Sequence, residues 1–113
     1  MREIQIGDLC VPQNTIARAG QRAHIFVCDK DLLDVLFEVE SDTFLVVTSS
    51  ERPTQLGMRS IASICKSIHK KTGVQHTEAH KVHQVLIASG PHAGMVGYAP
   101  SFWLRVEVPA QQP

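Results

Sequence analysis

Aromatic residues are scarce in this chain: one tryptophan, one tyrosine and four phenylalanines among 113 residues. A groove that holds single-stranded nucleic acid by base stacking wants more of them, so the composition argues against such a surface. An excess of one charge is also lacking. Eleven acidic and eleven basic residues cancel, which removes the whole-molecule field that draws a protein to nucleic acid or an anionic membrane. No apolar run approaches the length of a membrane span. Met1-Arg2-Glu3-Ile4-Gln5 lacks the apolar centre of an export signal. The three cysteines, Cys10, Cys28 and Cys65, are odd in number and widely spaced. Without an export signal they read as reduced thiols, Cys10 and Cys28 inside apolar strand patterns. The expectation is a cytoplasmic protein that meets no membrane.

Signatures of catalysis are missing as well. There is no glycine-rich phosphate loop, no HExxH pair, and nothing around Ser49-Ser50 that makes a triad. Cys65 lies beside Lys66 and one helical turn from His69, a neighbourhood able to favour a thiolate. That alone does not make a nucleophile, and no catalytic residue is assigned. The chain reads as a binding protein rather than an enzyme.

What the chain has is enough length for one domain, residues 1–113, with one real core. Its charges are balanced overall but not locally. From Asp29 to Glu51 seven acids stand against Lys30 alone; from Arg52 to His83 six bases and four histidines stand against Glu78 alone. The simplest reading is a pair of solvated faces, or faces that meet in the fold.

Strand patterns dominate. Ile4 to Pro12 reads as an opening strand limited by Pro12, and Gln13 to Gln21 as a long loop. His24–Cys28 is a short β-type run. Asp29-Lys30-Asp31 resembles a helix start, and Leu32–Phe37 reads either as one or two helical turns or as a loop closing onto the core. Glu40-Ser41-Asp42 is a turn signal, and Thr43–Thr48 a convincing strand, β-branched and continuous. From Gln55 to Lys71 the period changes. Met58, Ile61, Cys65 and Ile68 fall at helical spacing, giving an amphipathic helix stopped by Gly73. Val74–Lys81 is histidine-rich and open between loop and strand. Val82–Val108 reads strand, turn, strand, short turn, strand, with Gly90 and Gly94 at the first turn and Pro100-Ser101 at the second. Pro109–Pro113 is a polar tail.

Gly97-Tyr98-Ala99-Pro100-Ser101-Phe102-Trp103-Leu104 resembles the close of a Src-homology-3 domain. That family uses a glycine, two residues, Pro-Ser, one residue, an aromatic and an aliphatic. In such a segment the glycine lets a strand pass closely, the proline starts one turn of tight helix, and the aromatic swings onto the barrel. Leu36–Val47 is loosely similar to the family's diverging turn and second strand, with Ser41 where a glycine usually stands. The family's opening aromatic motif and the tryptophan of its third strand are absent, and only Pro100 and Trp103 map onto its peptide groove. Ile87–Gly97 is also similar to the Kyprides–Ouzounis–Woese motif, whose Gly-Pro-x-x-Gly turn joins two barrel strands. Both resemblances imply a small barrel, and neither implies a function. The expected fold is mainly β: a small Src-homology-3-like five-stranded barrel with an inserted amphipathic α-helix, the insertion spanning about 52–81.

Three constellations are candidates for function. Tyr98, Pro100, Phe102 and Trp103, with Met95 nearby, form an apolar surface for a protein partner or a second copy wherever they are not core. This is the leading expectation: a non-catalytic module that docks a partner or itself, through these residues or through the helix, without a cofactor. His76, Glu78, His80 and His83 offer a zinc-like donor set; the first three share one face of a strand, and the three histidines share one face of a helix. Arg59, Lys66, Lys70 and Lys71, with His69, give the helix a basic side suited to a nucleic-acid backbone. Ordinary solvation accounts for the last two sets equally simply.

Overall fold

The computed structural model describes residues 3–13, 15, 23–72 and 81–110, the side chains of 64–72 excepted. Among these residues seven strands form one antiparallel sheet in the order β3-β2-β6-β5-β4-β1-β7. They are β1 (Leu9–Pro12), β2 (His24–Cys28), β3 (Val35–Glu40), β4 (Leu45–Glu51), β5 (Val82–Ile87), β6 (Val96–Pro100) and β7 (Leu104–Val108). Among the described residues a single α-helix, α1 (Gln55–Thr72), is inserted between β4 and β5. The fold is mainly β with an inserted helix, as the residue patterns imply, but with seven strands where five are expected. β2 falls where His24–Cys28 reads as a β-type run, whereas β3 is a strand the residue patterns leave unassigned; the two pair with each other over five positions from His24↔Glu40 to Cys28↔Val35.

Leu32–Phe37, open in the sequence between helical turns and a loop closing onto the core, is a loop as far as Asp34 and strand β3 from Val35, and the cause is chemical. The Asp29 carboxylate accepts the amides of Leu33 and Asp34, at 2.8 and 3.3 Å. A side chain that serves as a helix cap serves equally as the acceptor of a tight loop. Leu32 then turns to φ 57°, which no helix continues through, and the chain returns as β3.

The long hairpin of the C-terminal half is built as its sequence indicates. Val82 to Leu86 of β5 pair with Pro100 to Val96 of β6, and β5 also pairs with β4 from Val82↔Glu51 to Ile87↔Leu45. Gly90 and Gly94, both at positive φ, make the tip, and the Gly94 amide bonds the Ile87 carbonyl at 2.8 Å. Pro100 leads into a short tight turn, Ser101–Trp103, whose end starts β7. β7 pairs with β1, which in turn pairs with β4.

One core takes side chains from all seven strands, including Phe37 and Val39 of the edge strand β3 and Leu104 of the opposite edge β7. The sheet is therefore strongly curled, as its twist permits. Gly97 marks the closest approach: a Cβ there would lie inside the Cγ1 of Val27 on β2, so only glycine lets β2 cross β6 at this depth. Asp8, fully buried, closes the sheet's other end. Its carboxylate accepts the Gln5 amide at 2.8 Å and the Ala110 amide at 2.6 Å.

Helix α1 begins at a Thr54 cap, whose Oγ1 accepts the Gly57 amide at 3.0 Å. Thr54 also donates to Asp31 at 2.7 Å, which ties the helix start to the β2–β3 loop. Ile61 is buried against Cys28, Leu32 and Val82 in a second, smaller cluster on the outer face of the sheet. No helix among the described residues is long and apolar enough to cross a membrane.

Candidate functional site

A groove of roughly 1180 Å³ lies beside the edge strand β3, larger than the usual small-molecule pocket and open enough for a chain segment. Four consecutive residues of β3, Phe37 to Glu40, line one wall. Alternation along a strand would put only every second side chain on a wall. A continuous run of four means that the backbone edge itself borders the groove. Among the described residues no strand pairs with that edge.

The opposite wall is the β5–β6 tip, Ser89 to His92, with Asp42, Thr43 and Phe44 between the two. These pieces are locked together. The Phe44 amide donates to Ser89 Oγ at 2.9 Å, and the Ala88 amide to the Phe44 carbonyl at 2.8 Å. The rings of Phe37 and His92 stack with centroids 4.7 Å apart and planes 21° apart. Behind β3, His24 and Phe26 of β2 complete the lining, edge to face at 5.2 Å. His24 Nε2 lies 3.7 Å from a Glu38 carboxylate oxygen.

The groove combines two chemistries. Glu38, Glu40 and Asp42 are exposed carboxylates, while Phe44 exposes 41% of its surface and Phe37 and Val39 supply the apolar floor. Further along the same strand Val35 and Leu36 are each 53% exposed. Such an edge presents hydrogen-bonding backbone, apolar side chains and negative charge to whatever lies beside it.

The expected docking residues fall elsewhere. Pro100 and Trp103 are buried, Trp103 within the main core. Tyr98 and Phe102 are half-buried and pack with Ile61 and Val82 beneath α1. Met95 is exposed at the base of the hairpin tip. Of the basic set, Arg59 is exposed on α1, Lys66, Lys70 and Lys71 belong to the same helix, and the side chains of those three lysines lie outside the described residues.

His76, Glu78 and His80 of the donor set also lie outside the described residues. Among those described, no three or more histidine, cysteine or acidic side chains are grouped to hold a metal. His83, the fourth member, points into the sheet's interior at 1% exposure, its Nδ1 2.8 Å from Ser50 Oγ. Burial pushes its pKa down to about 4, the Lys81 charge adds to that, and Glu3, the Ser49 backbone and Asp8 oppose it. It is a neutral interior histidine at pH 7. Cys28 is similarly inert: burial, then the Asp29 charge, raises its thiol to about 11.

The groove escaped the sequence reading because its walls are far apart in the chain. The available signal was the alternation in Val35-Leu36-Phe37-Glu38-Val39-Glu40, which fits a half-exposed strand better than a helix. No protein-family model matches the chain, and neither does any curated protein or solved structure.

Proposed function

We propose that this chain is a non-catalytic binding module of Src-homology-3-like architecture, and that it docks a protein partner through the groove beside β3. Two sets of observations support the architecture. Strands β6-β5-β4-β1-β7 follow one another in the sheet, and one tight helical turn separates β6 from β7. That is the arrangement implied by the resemblance at Gly97–Leu104, with the β2–β3 hairpin and α1 as elaborations. The docking role rests on one observation above all: an edge strand without a pairing neighbour among the described residues borders the groove. Sheet edges left open in this way are the surfaces on which extended segments dock. The burial of Pro100 and Trp103 weighs against the proline-rich-peptide mode, which needs exposed stacked aromatics.

The test is an amide-shift map of the whole chain titrated with peptides selected from a random library. Shifts concentrated at 35–44 and 89–92 are expected. Selected peptides that shift only α1, or only Tyr98 and Phe102, would place the docking surface elsewhere.

A further inference from the structure

Resting on that reading of the groove, we propose that its occupant is an extended, basic segment of a partner protein, added to the sheet as a further strand along β3. Three independent features converge on this occupant.

The first is the backbone. Phe37 to Glu40 border the groove as a continuous edge, so the hydrogen-bonding groups of β3 that face away from β2 are directed at the occupant. An extended chain satisfies them in ladder fashion; a helix or a compact ligand does not.

The second is charge. Glu38 is exposed on the face of β3 opposite Phe37 and Val39, and Asp42 is an exposed carboxylate just past the strand's end. A strand laid alongside sets its own alternate residues across from these at close range. Lysine or arginine there is favourable and acid is not. The same contrast decides between a foreign partner and a second copy. Two copies joined through β3 would bring Glu38 and Asp42 of one toward those of the other, a like-charge pairing that destabilises a sheet.

The third is the apolar content. Val35 and Leu36, each 53% exposed, sit at the beginning of the strand and the carboxylates at its end. The matching segment therefore alternates valine-like side chains with its basic ones along its length. Phe44, 41% exposed beside the acids, offers a ring face to a lysine or arginine head group.

The experiment uses the full chain and three synthetic peptides of equal length: alternating lysine and valine, alternating glutamate and valine, and the lysine–valine composition rearranged into two blocks. Calorimetric titration at low and high salt gives affinities. The lysine–valine alternation is expected to bind tightest, to weaken as salt rises, and to exceed both others by about tenfold or more. Charge reversal at Glu38→Lys with Asp42→Lys should lose that preference and gain affinity for the glutamate–valine peptide. Equal binding of the block peptide would show simple charge attraction and overturn strand addition. Undiminished binding of the lysine–valine peptide by the charge-reversed chain would overturn the site. If library-selected peptides shift the groove amides yet carry no basic residues, this proposal fails while the docking surface stands; if no peptide shifts those amides, both fail.

Discussion

Phe37 on the edge strand and His92 on the distant hairpin tip stack ring on ring, 4.7 Å between centroids. The contact spans the groove floor and fixes the distance between its two walls. Phe37 is 8% exposed and belongs to the core, whereas His92 is half-exposed, so the two can be separated by substitution. His92→Ala should cost about 1 kcal/mol, the scale of one aromatic pair. Phe37→Ala should cost about 3–5 kcal/mol, because it also empties core volume. In urea denaturation the double variant should be less destabilised than the sum of the two, by about the pair energy. Strict additivity would mean that the stack holds nothing.

Gly97 and Val27 give a sharper test of the curled sheet. Gly97→Ala pushes a methyl group into Val27, and overpacking of this kind costs about 1–3 kcal/mol. Val27→Ala in the Gly97→Ala background should recover part of that loss, although Val27→Ala alone is destabilising. Thermal melting of the four proteins reads the sign. A double variant that melts below both single variants would mean that β2 does not cross β6 at this residue.

The interior histidine makes stability depend on pH in a stated direction. The folded pKa of His83, about 4, lies below the free value of 6.5. Between those values the unfolded chain binds a proton that the folded chain does not. Its contribution is complete above pH 6.5 and is lost as pH falls toward 4. His83→Gln should flatten the fall in melting temperature across that window, even if it lowers stability at pH 7. Parallel pH profiles for the native and variant chains would contradict the neutral, buried imidazole.

Much of the architecture is legible in the residues themselves. Gly90, Gly94, Pro100 and the runs between them dictate the C-terminal strands locally, and the spacing of Ile61, Cys65 and Ile68 dictates a helix. Asp29 misleads because its carboxylate captures amides in a loop as readily as at a helix start. The groove is illegible for a different reason. Phe37 meets His92, and Phe44 meets Ser89, only after the hairpin has returned across the sheet. No local pattern carries a pairing of that sequence separation, and the half-exposed alternation of β3 shows an edge without showing what faces it. Trp103 is core, as the aromatic of the resembled segment implies, and Pro100 beside it is buried too, so among the expected docking residues Tyr98 and Phe102 keep partial exposure.

Hydrogen exchange along β3 tests the docking account most directly. With the lysine–valine peptide bound, the outward-facing amides between Val35 and Glu40 should exchange more slowly by about tenfold or more, while α1 is unchanged. Saturating peptide that leaves β3 exchange at its free rate would contradict strand addition and, with it, the role assigned to the groove.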